Sequence, residues 1–238
     1  MDLSIIIPVW NEENKIRNDI IAINDFFSKN NRQTEIILVD DGSSDKTKEI
    51  IMAATSFSSI RVAPLILKKH CGKGYAVRQG VLNAEGRFIM FMDSGLTVPL
   101  KFIENAIQQL NDKNLGFIIG SRHLPESKIG YSQNWYRKAF SASFRFITKR
   151  LLGLPDFITD TQCGFKVFKR DVAKQLFQQS QENGYLFDLE IILLALRSKI
   201  PFAELAIEWN WDRDTRLSVG KTSLNIMHDL YYLKQRFL

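Results

Sequence analysis

Apolar residues along the chain follow two alternating rhythms. Ser4-Ile5-Ile6-Ile7-Pro8-Val9 is a continuous, largely β-branched run, the pattern of a strand buried on both faces. Ile16, Ile20, Ile23 and Phe27 then recur every three or four residues, marking one face of a helix. Glu35 to Val39 is a second buried run, stopped by Asp40-Asp41-Gly42, and Ser43-Ser44-Asp45 offers N-cap chemistry to a helix reaching about Thr55. Further strands are predicted at Arg61 to Leu67, Arg87 to Met92 and Leu115 to Ile119, with helices over Gly74 to Ala84 and Pro99 to Leu110. Strands alternating with helices in this way predict an α/β fold: a mostly parallel central sheet flanked by helices.

Beyond Arg122 the rhythm changes. Asn134 to Leu152 reads as a helix with Trp135, Phe140, Phe144, Ile147 and Leu151 on one side, interleaved with Arg137, Lys138, Arg145, Lys149 and Arg150. Such a helix can lie in a membrane interface, or it can be a core helix whose basic side chains snorkel. A short strand at Phe165 to Phe168, a helix over Leu186 to Arg197, a strand near Phe202 to Ile207 and a closing helix after Gly220 complete the pattern. With no repeat, linker or low-complexity tract, one domain over residues 1–238 is expected.

Composition narrows the classes. At 45% hydrophobic and 24% charged, the 238 residues suit a globular protein. No apolar stretch approaches the roughly 20 residues that span a bilayer, and MDLSIIIPVW lacks a basic leader region, so neither a crossing segment nor a leader is expected. Cys71 and Cys163 form no CxxC or Cys/His cluster, which argues against a disulfide framework or a zinc site and for a reducing, cytoplasmic setting. The three histidines are scattered, and satisfied surface or core roles are expected of them. The net charge of +6 is concentrated: Arg122 to Arg170 carries ten Lys/Arg against three Asp/Glu. That excess suits a polyanion such as nucleic acid, anionic lipid or a phosphorylated substrate, or it is a solvated basic face.

Parallel sheets bind ligands at the carboxyl ends of their strands. Those ends carry Pro8-Val9-Trp10-Asn11-Glu12, Asp40-Asp41-Gly42, His70-Cys71-Gly72-Lys73-Gly74, Asp93-Ser94-Gly95 and Gly120-Ser121-Arg122. Neither GxGxxG nor GxxxxGK[ST] is present, which removes the dinucleotide and phosphate-loop classes. Asp40-Asp41 and Asp93 are expected to end adjacent strands and to point into one cleft, where carboxylates can bond a base or ribose or hold a divalent metal against a diphosphate. Lys73, on a glycine-flanked turn, can meet phosphate as a point charge. Plain turn and cap chemistry also accounts for Asp40 to Asp45.

IIIPVWNEE (Ile5 to Glu13), VDDGSSDKT (Val39 to Thr47) and GKGYAVRQG (Gly72 to Gly80) together resemble the GT-A family-two glycosyltransferases. DTQCGFKVF (Asp160 to Phe168), Phe187-Asp188-Leu189-Glu190 and Met227-His228-Asp229-Leu230 are similar to the polyprenyl-phosphate branch, which includes dolichyl-phosphate glucosyl- and mannosyltransferases. The likeness covers nearly the whole chain. It implies a GT-A fold and inverting transfer of a hexose from a nucleotide sugar to a long isoprenoid phosphate at the cytoplasmic membrane face. UDP-glucose is favoured over GDP-mannose as donor, and no nucleic-acid signature is present. The nucleotide-sugar half would be residues 1–122 and the acceptor half residues 123–238.

The resemblance also implies roles residue by residue. Pro8, Trp10 and Glu12 would cradle the nucleotide, and Asp40 and Asp41 would hold base and ribose. Arg122 would face the sugar phosphate, while Arg137, Ser141 and Arg216 would grip the acceptor phosphate. Asp160 would orient the sugar or an arginine, with a general base as the alternative. Family members end the fourth strand with Asp-x-Asp and a further oxygen ligand; here those positions are Asp93, Gly95 and Thr97. Mg²⁺ or Mn²⁺ would then have Asp93 as its one carboxylate, with phosphates and waters completing the shell. Otherwise Lys73 or Arg122 would neutralise the leaving diphosphate. Two other readings stay open: transfer to a hydroxyl acceptor, which needs a base, and a non-catalytic nucleotide-binding protein.

Overall fold

In a computed structural model of the chain, residues 1–30, 32–130, 135–210 and 221–238 are described, the side chains of residues 135–140 and 221–225 excepted. The first half alternates as expected: β1 (Leu3–Val9), α1 (Ile16–Phe27), β2 (Thr34–Asp40), α2 (Thr47–Phe57), β3 (Arg61–Ile66), α3 (Lys73–Asn83), β4 (Phe88–Met92), α4 (Phe102–Asp112) and β5 (Phe117–Ser121). The second half holds β6 (Lys128–Ile129), α5 (Trp135–Leu152), β7 (Phe165–Lys169), α6 (Arg170–Gln179), α7 (Phe187–Arg197), β8 (Phe202–Ala206), β9 (Glu208–Trp209) and α8 (Lys221–Phe237).

The main sheet runs β3-β2-β1-β4-β7-β5-β8, all parallel except β7, which pairs antiparallel with both β4 and β5. This is the GT-A-like arrangement, a mostly parallel sheet between helical layers. The continuous apolar runs are explained by the two-residue period of a strand. Ile6, Ile37 and Phe91 face a core completed by α3, α6 and α7. Ile5, Ile7, Ile36 and Met90 face the opposite core, built with α1, α2 and α4. Each such side chain is fully buried, which contributes roughly 1.5–3 kcal/mol of transfer free energy.

Three expectations are corrected. β2 and β4 are not neighbours, because β1 lies between them; Asp40-Asp41 and Asp93 therefore end strands one position apart. On α5, Ile147 is half exposed and Phe146 is 72% exposed, while Thr148 and Leu152 are buried and Phe144 and Leu151 pack on the core. Helix α6 was not anticipated, although Ala173, Leu176 and Phe177 are its buried stripe. A second, two-stranded sheet pairs Lys128 with Glu208 and Ile129 with Trp209 in parallel.

Candidate active site

At the carboxyl end of β1 the chain is stitched to the loop after β2. Asn11, held at φ 55°, donates its amide to Ser43 Oγ at 2.8 Å and accepts from the Ser44 amide at 2.8 Å. The Glu12 amide donates to Thr47 Oγ1 at 2.7 Å and the Lys46 amide to Glu13 Oε2 at 3.0 Å. Ser43 and Ser44 are thereby committed to Asn11, and α2 starts at Thr47, whose amide donates to Asp45 Oδ1 at 3.0 Å. Pro8 pairs in register with Val39, placing the Trp10–Glu12 turn beside Asp40.

Asp40 and Asp41 are both buried. Asp40 Oδ1 accepts from the Ser43 amide at 3.1 Å. Asp41 accepts from the amides of Cys71 at 2.7 Å and Gly72 at 2.9 Å, and His70 Nδ1 lies 2.8 Å from its Oδ2. The His70 ring in turn stacks on Trp10, with centroids 4.3 Å apart and planes 23° apart. Asp41 thus organises the loop that leads to Lys73, and His70 joins the Trp10 corner. Sequence reasoning gave His70 no task; its one signal was its place just before the glycine-flanked turn.

Lys73 opens α3, and its Nζ lies 2.6 Å from Asp93 Oδ1. The side chains stay 24% and 37% exposed respectively, so both remain open to a ligand. Burial pushes the Asp93 carboxyl up, but Lys73, with help from Lys166 and Arg122, holds it below the usual range. Asp93 sits directly against Gly164 of the DTQCGFK segment. A Cβ at Gly164 would lie 2.1 Å from Asp93 Oδ2, so a side chain there would evict the carboxylate. Lys166 of the same segment is fully buried and bonds the carbonyls of Cys163 (2.9 Å) and Thr161 (3.3 Å) together with Asp188 Oδ1. Burial raises the Asp188 carboxyl above its ordinary value, with Lys166 pulling partly back. Beyond Asp93 the chain turns through Gly95 at φ 88°, whose amide donates to the buried Asp19 Oδ2 at 2.7 Å.

At the end of β5, Arg122 and Asp160 form a bidentate pair, Nε to Oδ2 at 2.7 Å and Nη2 to Oδ1 at 2.9 Å. The Arg122 amide also donates to Asp160 Oδ2 at 3.1 Å. Burial works against the ionised acid, yet Arg122 takes the Asp160 carboxyl down to about 2. Glu204 of β8 accepts from the amides of Thr159 and Asp160, both at 2.8 Å, and so fixes the loop that carries the acid. The Arg122 guanidinium lies 5.6 Å from the Trp209 ring centre. Arg145 of α5, half-buried, has its pKa lowered by burial and feels both Asp160 and Arg122; it joins the site electrostatically although only its basic helix was read from the sequence. His123 alongside is lowered by burial, with Arg145 and Arg122 adding to the effect.

Of the residues expected at the acceptor phosphate, Ser141 lies on α5 and is partly buried. The Arg137 side chain and Arg216 lie outside the described residues. For a divalent cation, Asp93 is the acid at the end of β4, and it is already paired with Lys73. Among the described residues no three His, Cys, Asp or Glu side chains gather as a metal cluster. A divalent cation would therefore take Asp93 as its carboxylate, with donor phosphates and waters as its other ligands.

This geometry meets close likenesses among known proteins. The chain is 31% identical over 251 residues to the dolichyl-phosphate β-glucosyltransferase of Dictyostelium discoideum, covering 99% of this chain and 75% of that protein. It is 32% identical over 250 residues to the Drosophila melanogaster enzyme of that name, covering 100% and 76%, and 29% identical over 248 residues to the human one, covering 99% and 76%. Among solved structures, glucosyl-3-phosphoglycerate synthase from Mycobacterium tuberculosis bound to Mn²⁺, UDP-glucose and glycerol 3-phosphate superposes with a TM-score of 0.70 at 16% identity, over 98% of this chain and 80% of that one. The same enzyme bound to UDP gives 0.69 at 17% identity, over 98% and 80%; both likenesses are of fold. The model of glycosyl transferase family 2 matches residues 4–177. The chain belongs to that family and is a hexosyltransferase-type enzyme of the GT-A class.

Proposed function

We propose that the chain transfers glucose, with inversion, from UDP-glucose to a polyprenyl phosphate at a membrane surface. One observation carries the choice of acceptor. The acid best placed to serve as a base, Asp160, has both oxygens on Arg122 and a carboxyl near 2. A base that weak draws little of a proton from a hydroxyl. A phosphate monoester, with a second pKa near ~6, is largely dianionic at neutral pH and needs no base. It needs relief from the charge of the donor diphosphate, which arginines supply through charge-assisted bonds.

Residues 1–122 would then hold the nucleotide sugar and residues 123–238 the acceptor. Trp10 with its stacked His70, Pro8, Glu12, Asp40 and Asp41 form the nucleotide corner. Lys73 and Asp93 stand at the diphosphate, and Arg122, set by Asp160, faces the reacting phosphates. Arg137, Ser141 and Arg216 receive the acceptor's head group. As the glycosidic C1–O bond breaks, its electron pair leaves with the nucleotide diphosphate while an acceptor phosphate oxygen closes on C1. Helix α5, with exposed Phe146 and Ile147 beside Lys149 and Arg150, gives this half a face for the lipid.

The test is label transfer from UDP-glucose and from GDP-mannose to a polyprenyl phosphate in vesicles. Transfer from UDP-glucose is the expected result. Asp160→Asn should lower kcat roughly tenfold by loosening Arg122, whereas removal of a true base costs up to ~10⁴-fold. A loss of that larger size, or no transfer to the lipid phosphate, would turn the reading to a hydroxyl acceptor.

A further inference from the structure

Among the described residues, the acids near Asp93 are committed. Asp160 holds Arg122 with both oxygens, Asp188 is bonded to the buried Lys166, and Asp19 accepts from the Gly95 amide. Two residues beyond Asp93 stands Gly95, which carries no ligand and sits at φ 88°, a backbone conformation that L side chains adopt at a cost. That leaves Asp93, and its Oδ1 already has the Lys73 ammonium 2.6 Å away. A divalent cation bound at Asp93 would have to displace that ammonium or sit against it. The Asp93 carboxylate lies over Gly164, the one residue type that leaves it room there. The turn that carries Lys73 is anchored: the amides of Gly74 and Tyr75 donate to the carbonyls of Gly184 and Asn183 at 3.1 and 3.2 Å. The cleft thus has a positive charge built in, placed by Asp93 and still open.

We propose that Lys73 is the resident cation for the donor diphosphate and that Asp93 is its positioning residue, so that neither binding nor departure of the nucleotide diphosphate requires a divalent metal. The inference rests on the nucleotide-sugar reading given above. In the transfer step the breaking C1–O bond leaves its electron pair on the diphosphate oxygen, and the Lys73 ammonium neutralises that charge without giving up a proton.

Calorimetric titration of the full chain with UDP, in EDTA and then in Mn²⁺, decides it. The expected affinity in EDTA lies within about threefold of that in Mn²⁺. Lys73→Met should weaken UDP binding in EDTA by about tenfold or more, and Lys73→Arg should retain most of it. Asp93→Asn supplies a readout that a metal ligand would move the other way. With one negative charge fewer facing the diphosphate, it should bind UDP at least as tightly while kcat falls. UDP binding that needs Mn²⁺, or is lost in Asp93→Asn, overturns the proposal alone. Absence of UDP binding in every condition, and of GDP binding in a parallel titration, overturns the nucleotide-sugar reading and the proposal with it. If Lys73→Met fails to fold, the wild-type comparison between EDTA and Mn²⁺ still decides.

Discussion

Asp160 and Asp93 carry the same chemical group and keep different company. Asp160 is almost wholly buried and clamped on a guanidinium; Asp93 shares one ammonium and stays open to the cleft. The clamp has a stability signature. The folded carboxyl, at about 2, lies below its ordinary 3.8, so its contribution is fully present above about pH 4 and is lost as the pH falls toward 2. The shift corresponds to about 2 kcal/mol. Urea denaturation at pH 5 and pH 2.5 should therefore show a smaller acid-induced loss in Asp160→Asn than in the wild type, by roughly that amount. The open acid and the clamped one could not be told apart from the sequence. Asp93 and Gly164 touch across about 70 residues, and Asp19 meets Gly95 across 76. The motifs DTQCGFK and FMDSG were legible; why the first needs its glycine was not, because that reason is a contact.

At the scale of elements, β7 is the inserted antiparallel strand, and Lys166 ties it to Asp188 at the start of α7. Both partners are buried, so removing one leaves the other charge uncompensated. Lys166→Met should cost about 3–5 kcal/mol in chemical denaturation, and Lys166→Met with Asp188→Leu should recover a large part of it. The strands themselves were readable, since burial on both faces writes an unbroken apolar run. Their order was not. Nothing in Ile5–Val9 says that β1 will stand between β2 and β4, and nothing in Phe165–Lys169 says that it will run backwards. The missed α6 is a different case: Ala173, Leu176 and Phe177 do carry the helical period, but Lys and Gln neighbours dilute it. The pairing of Ser43 and Ser44 with Asn11, which delays α2 to Thr47, is another contact that local cap chemistry does not reveal.

For the whole molecule, the proposed lipid acceptor calls for a surface that could meet a bilayer. Among the described residues no helix is long and apolar enough to cross a membrane. Yet α5 and α8 pack together and leave Phe146, Ile147, Met227, Tyr231 and Leu238 exposed, on a chain of net charge +6. Large exposed apolar side chains beside basic ones favour an anionic bilayer. Replacing Phe146 and Ile147 together with serine should lower recovery with anionic vesicles in flotation, with the melting temperature nearly unchanged; equal recovery would count against a bilayer contact through α5. Helix α8 reaches further than this face. Arg236 bonds the buried Glu190 and the carbonyl of Gln179, and Tyr232 bonds Gln181 at 2.8 Å. Glu190 holds the amides of Gln181 and Glu182, and the loop continues to Asn183 and Gly184, which grip the turn beside Lys73. A genetic screen scoring loss of transfer would therefore return lesions in the last turns of the chain alongside those at Lys73. A map drawn by distance from the chemistry would misfile them as bystanders.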